Sequence, residues 1–340
     1  MSYTLRAMFP AICMALILPC SSHLLAADPA PATDTKAVEA TPERATLPTR
    51  TQEDTLALER SVPAAEQQQL QAGDASFLAL WKPANTDEPK GAVIIIPGAG
   101  ESADWPNAVG PLRRKLPDVG WSSLSLSLPD TFGDSVFVGT ADAPGAETPV
   151  TDASKETSNK DANGKNAATK EPSTKAPDPA AEAEAQQAAA AEQAAALAAQ
   201  AQANAENIFA RIDSAIAFAQ QNKARSIALL GHGTGAYWAA RYLSERPSPA
   251  VKKLVMVTPV ETGKDTPTLL ALLPTLKIAT ADFVNKDKTV PRQQAQDRLD
   301  ASKRIKGTKF TQIPLTAMPG NPATEQDQLF RRVRGWLEAE

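Results

Sequence analysis

Apolar positions divide the chain into regions of opposite character. Ala92 to Ile96 is a continuous apolar run, the mark of a strand buried on both faces. Trp121 to Leu128 alternates Leu124, Leu126 and Leu128 with serine, the two-residue period of a half-buried strand. Further strands are predicted over Ser76–Trp81, Ser226–Leu230, Leu254–Thr258, Leu276–Thr280 and Lys309–Pro314. Helical patterns fall between the later ones, over Gly235–Glu245, around Pro267–Leu273, and over Arg292–Arg304. A last helix, Ala323–Leu337, places Leu329, Phe330, Val333, Trp336 and Leu337 on one face. A short helical piece is predicted over Gln52–Arg60. Strands alternating with helices imply an α/β fold, a mostly parallel sheet covered on both sides.

One internal region breaks this rhythm. Thr140 to Pro179 is almost free of large apolar residues and cannot bury enough surface to fold alone. Ala180 to Asn204 is mostly Ala, Gln and Glu, with Leu197 as its only large apolar side chain. Alanine is the strongest helix former, so a solvated helix is predicted there. Ile208, Phe209, Ile212 and Ile216 continue it with a 3.6-residue apolar face. Unbroken from Ala180 to Asn222, it would measure roughly 65 Å at the usual rise per residue. Only its C-terminal third can pack on a core. The alanine part lacks large residues at coiled-coil a and d positions, so residues 140–205 read as a low-complexity surface insertion, disordered and then helical.

The N-terminus reads as an address. Arg6 and the free amino group precede an apolar stretch from Ala7 to Leu18, and Ala26 and Ala27 offer a small-residue cleavage site before Asp28. The stretch is shorter than the roughly 20 residues of a bilayer span. Cys20 follows Leu18-Pro19, and that proline fits a lipid-attachment motif poorly. Residues 1–27 are therefore expected to be a cleaved signal peptide, with the product periplasmic or secreted. Residues 28–50, rich in Pro, Ala, Thr and charge, read as a disordered leader. Residues 51–139 and 206–340 then form the two parts of one domain. Removing signal, leader and insertion leaves roughly 230 residues, which suits a single α/β domain.

Composition narrows the chemistry. Of 340 residues, 35 are Lys or Arg and 39 Asp or Glu, a net charge of -4 that argues against a nucleic-acid binder. Both cysteines, Cys13 and Cys20, lie in the signal, so the mature chain has no disulfide, thiol nucleophile or thiolate metal site. Of the two histidines, His23 is lost with the signal and His232 remains. One histidine with scattered carboxylates makes no metal cluster. A dinucleotide-binding reading of Gly231 to Gly235 fails, since Tyr237 and Trp238 follow where a third small residue belongs. No cofactor is expected.

Two glycine motifs carry the most information. Ile96-Pro97-Gly98-Ala99-Gly100 ends the buried strand, and Gly231-His232-Gly233-Thr234-Gly235 joins strand Ser226–Leu230 to the next helix. Together they resemble the α/β-hydrolase superfamily, with an oxyanion-hole loop after an early strand and a nucleophile elbow after a central one. The resemblance spans about Asp74 to Glu340 outside the insertion. It is similar to a bacterial envelope branch of that superfamily with a Gly-His-Gly-Thr-Gly elbow.

That resemblance implies a fold and a site but no intact triad. Gly231 and Gly235 occupy the tight positions of the elbow, which puts Gly233, without a side chain, at the nucleophile position. Making Thr234 the nucleophile would place His232 and Ala236 at the tight positions. Thr234 reads better as a backbone oxyanion donor whose hydroxyl caps the following helix, beside the loop Gly98, Ala99 and Gly100. Glycine adopts the strained elbow backbone without cost, so Gly233 reads as a relic of the turn. The acid would follow strand Leu276–Thr280, with Asp282 first and Asp287 second. No histidine follows the last strand to serve as base. His232 reads as a packing or hydrogen-bonding residue beneath the turn. Glu101-Ser102-Ala103-Asp104-Trp105 reads either as a pocket wall or as a helix-capping loop, and Ser102 has no histidine available to activate it.

Three roles remain open on this reading. The chain is a non-catalytic binder of an unknown small molecule or protein partner in the bacterial envelope. Alternatively it is a weak carboxylester or acyl hydrolase using a non-standard nucleophile. In the third role it is an envelope spacer acting through its alanine-rich helix.

Overall fold

A computed structural model describes residues 48–129, 179–263, 266–287, 289–304, 307 and 309–339. Residues 1–47, with the expected signal peptide and most of the leader, and residues 130–178, with the first part of the expected insertion, lie outside the described residues.

The described elements run in the order α1 (Arg50–Ser61), β1 (Gln67–Ala72), β2 (Ala75–Lys82), β3 (Gly91–Ile96), α2 (Val109–Lys115) and β4 (Trp121–Leu126). Then come α3 (Pro179–Gln221), β5 (Ile227–His232), α4 (Thr234–Glu245), β6 (Val251–Val257) and α5 (Leu269–Leu272). The chain closes with β7 (Ala279–Asn285), α6 (Thr289–Lys303), β8 (Phe310–Leu315) and α7 (Pro322–Glu338). The strands form one sheet in the order β1-β2-β4-β3-β5-β6-β7-β8. β1 and β2 pair antiparallel with each other, β2 pairs antiparallel with β4, and every later pair is parallel. This is the mostly parallel, two-sided α/β architecture of the α/β-hydrolase fold.

Alternation along the central strands sends side chains to two cores. Ile94, Leu229, Leu254 and Met256 pack with Phe209, Ile212, Tyr237 and Trp238 of α3 and α4. Val93, Ile95, Val255 and Phe283 pack with Leu112 of α2 and with Leu329, Val333 and Leu337 of α7. The run Ala92–Ile96 is fully buried, as expected of a strand covered on both faces. Phe209 stands edge-on to Trp238 and Tyr242, which locks α3 to α4.

Four features differ from the sequence pattern. β1 is an unpredicted edge strand: its Gln-rich sequence lacks strand-forming residues, yet Leu70 and Ala72 point inward and Gly73, at φ +60°, makes the turn into β2. β4 is buried on both faces rather than one, because its serines find partners inside. Ser123 donates to the Arg113 carbonyl and Ser125 to the Ala103 carbonyl. The seventh strand starts at Ala279 and continues past Thr280 to Asn285, with Leu276 in the preceding loop. β5 extends through His232, so α4 begins at Thr234.

The long helix has the expected form. α3 runs unbroken for 43 residues. Side chains 186–203 are exposed, and packing starts at Ala205, which is fully buried. Among the described residues no helix is long and apolar enough to cross a membrane.

Candidate functional site

The elbow is built by close approach. A Cβ on Gly231 would stand 2.3 Å from the Ala236 Cα, and one on Gly235 would stand 2.2 Å from the Ile96 carbonyl oxygen. Both positions therefore require glycine. Gly233 sits at φ +56° and ψ -122°, a backbone disfavoured for residues with a side chain. Its surroundings are open, for a Cβ there would meet nothing nearer than the Gly98 Cα at 3.9 Å. The apex thus has the backbone of a tight elbow and room for a side chain, and carries none. Its backbone is held by β6: Gly233 N–H donates to the Val257 carbonyl, and Val260 N–H donates to the Gly233 carbonyl. Thr258, between them, is held at φ +44°, an uncommon conformation for a β-branched residue.

The glycine loop after β3 faces this turn, and two of its amides are already engaged. Gly98 N–H donates to Glu101 Oε2 at 2.7 Å. Ala99 N–H donates to the Thr234 hydroxyl at 2.6 Å. The Gly100 carbonyl accepts from the Arg50 guanidinium of α1. Two of the predicted oxyanion donors, Gly98 and Ala99, thus point at the chain's own side chains. The Thr234 hydroxyl holds that loop instead of capping α4, whose N-cap is Gly233 without a side-chain cap.

Glu101 also reaches His232, with Nδ1 2.8 Å from Oε2. A carboxylate only accepts, so Nδ1 is the donor in this contact. His232 is thereby a hydrogen-bonded residue beside the elbow, with an acid partner that lies in the loop after β3. The pair escapes sequence reasoning because its members are separated by 131 positions. The only available signal was a carboxylate directly after a glycine loop.

Asp282 departs from the expected acid position. It lies within β7, fully buried, on the face opposite Ala281 and Phe283. Arg298 Nε donates to it at 2.9 Å, and Arg298 Nη2 and Gln312 Nε2 donate at 3.2 Å. Burial pushes its carboxyl up, while the Arg298 charge and these hydrogen bonds pull it down. Its bonds belong to a structural ion pair between β7 and α6. Asp287 does follow β7, but it is exposed and accepts from Ala317 N–H at 2.6 Å.

A cavity of about 380 Å³ opens above the elbow. Gly98, Ala99, Gly100, Glu101, Ser102 and Thr234 form its floor side, with Leu128, Ile208 and Trp238 as its apolar wall. Of the two readings of 101–105, the pocket wall is thus realised by Glu101 and Ser102, while Asp104 binds Arg113 and Arg114. Among the described residues Ser102 makes no hydrogen bond to His232, and no three His, Cys, Asp or Glu side chains converge as metal ligands.

Solved structures resemble this fold at low identity. A candidate dienelactone hydrolase from Klebsiella pneumoniae has 12% identity and a TM-score of 0.50, covering 81% of this chain and 98% of its own. An esterase from Pyrococcus furiosus has 12% identity and a TM-score of 0.49, covering 80% and 91%. A dienelactone hydrolase from Anabaena variabilis has 13% identity and a TM-score of 0.47, covering 80% and 97%. Likeness at this level speaks for the fold alone. No curated protein matches the sequence. A family model described as protein of unknown function (DUF3530) matches residues 9–339, and the chain belongs to that family.

Proposed function

We propose that the chain is an exported binding protein of the cell envelope that uses a hydrolase cleft to hold a small ligand without covalent turnover. One observation carries this reading. The elbow apex is glycine, and the Gly98 and Ala99 amides of the loop facing it are taken up by Glu101 and Thr234. Acyl transfer needs a nucleophile and free donors where the oxyanion develops. The cavity keeps what binding needs: apolar walls with a few polar groups at one end. Export rests on the signal-like residues 1–27.

The test pairs turnover with binding. Purified mature protein is presented with a panel of short p-nitrophenyl esters, and the fluorescence of Trp238 is followed against a Trp238→Phe control. The reading expects saturable quenching with no hydrolysis above buffer. Hydrolysis abolished by Thr234→Ala would overturn it.

A second reading rests on the Glu101–His232 pair. An imidazole with Nδ1 held by a carboxylate is the oriented base of acyl-transfer sites, so weak hydrolysis by an activated water is the rival. Hydrolysis lost in His232→Gln but kept in Thr234→Ala would favour it.

A further inference from the structure

Four arginines are buried among the described residues: Arg113, Arg211, Arg241 and Arg298. Three have a carboxylate in ion-pair contact. Arg113 meets Glu66 and Asp104, Arg241 meets Glu245, and Arg298 meets Asp282. Arg211, 7% exposed, has none among the described residues. Its guanidinium donates to the Ser127 carbonyl and to Asn207 Oδ1, and it lies over the Phe77 ring with 5.0 Å to the centroid. These neutral partners orient the group and leave its charge uncompensated. Burial pulls its pKa down to about 10, so it is cationic at neutral pH.

The surroundings of Arg211 add a second, independent observation. It lines a cavity of about 490 Å³ between α1, β1, β2 and α3, which shares Thr51 and Ser127 with the elbow cleft. Ser127, 8% exposed, lines it too, and its hydroxyl is buried without a hydrogen-bond partner. Buried polar groups are normally satisfied, and a buried charge is normally paired. A lone guanidinium beside an unused hydroxyl is the donor set that an oxyanion satisfies, since carboxylate and phosphate oxygens accept from both. Glu59 is the one carboxylate lining this cavity, and it is exposed and makes no ion pair with Arg211.

We propose that this cavity is an oxyanion site, where Arg211 and Ser127 receive the carboxylate or phosphate group of a small ligand. The site does not depend on whether the elbow cleft binds or hydrolyses anything.

The test titrates the purified mature chain with sodium phosphate and, separately, sodium acetate. Ionic strength is held constant with chloride, and both calorimetry and thermal unfolding are read. The site predicts a saturable response to at least one oxyanion, and the two arms tell phosphate from carboxylate. Arg211→Gln should weaken that response about tenfold or more. Should Arg211→Gln fail to fold, Ser127→Ala keeps the cation and should weaken the response by about threefold to tenfold. No saturable response to either anion, or an undiminished one in the folded variants, would overturn the proposal.

Discussion

Glu101 joins two elements that sequence separates widely: its carboxylate lies 2.7 Å from Gly98 N and 2.8 Å from His232 Nδ1. One side chain thus fixes both the loop after β3 and the last residue of β5. Glu101→Ala would leave a loop N–H and an imidazole N–H without their acceptor. The expected loss is about 1–3 kcal/mol, read as a lower urea midpoint. The His232 ring should also lose its fixed tautomer, visible in long-range proton–nitrogen NMR correlations. An unchanged His232 spectrum would contradict the pairing.

The elbow glycines should separate sharply on substitution. Gly231→Ala and Gly235→Ala drive a Cβ into backbone at 2.3 and 2.2 Å and should abolish or severely reduce soluble folded protein. Gly233→Ser meets open space and strains only the backbone, at a cost of about 1–3 kcal/mol. Thermal unfolding of the three variants checks the order.

Asp282 should matter for stability and not for the cleft. Asp282→Asn removes the charge opposite Arg298 in a buried pair, where such losses run to about 3–5 kcal/mol. Replacing both partners with apolar residues, Asp282→Leu with Arg298→Met, should recover much of that loss. Ligand binding or turnover at the elbow should be the same in every folded variant. A change there with stability unaltered would return Asp282 to the chemistry.

Glu66 should govern part of the acid limb. Burial alone would raise its carboxyl, but Lys82 and Arg113 outweigh burial and hold it below its ordinary value. A lowered native pKa means that the unfolded chain takes up this proton first. The stability contributed is therefore complete above the unfolded value, about 4.3, and is lost as pH falls through the lower native value. Glu66→Gln should flatten the pH dependence of the urea midpoint in that acidic window. An identical slope in both proteins would contradict the assignment.

Legibility in the sequence followed the periodicity of each segment. The all-apolar Ala92–Ile96 and the glycine spacing of 231–235 placed the sheet centre and the elbow directly. β1 was hidden because three successive glutamines, Gln67 to Gln69, carry no strand signature. β7 was displaced because Thr280 and Asp282 interrupt its apolar pattern, although both are buried. The partner of Asp282, Arg298, comes from α6, and no local pattern can announce it. The engagement of Gly98 and Ala99 by Glu101 and Thr234 was illegible for the same reason. A loop with the composition of an anion cradle reads alike whether or not its amides are already occupied.

The long helix α3 also fixes an order of opening. Isolated helices pay a nucleation penalty that alanine propensity alone barely overcomes. Here the turns from Ala205 onward are held by the core, so the exposed stretch 186–203 is extended from an existing nucleus. Each further turn is only marginally favourable, and the helix should melt inward from its N-terminal end. Amide exchange would then record a gradient, with protection rising residue by residue toward Ala205 and reaching the global limit where Ile208 and Phe209 enter the core.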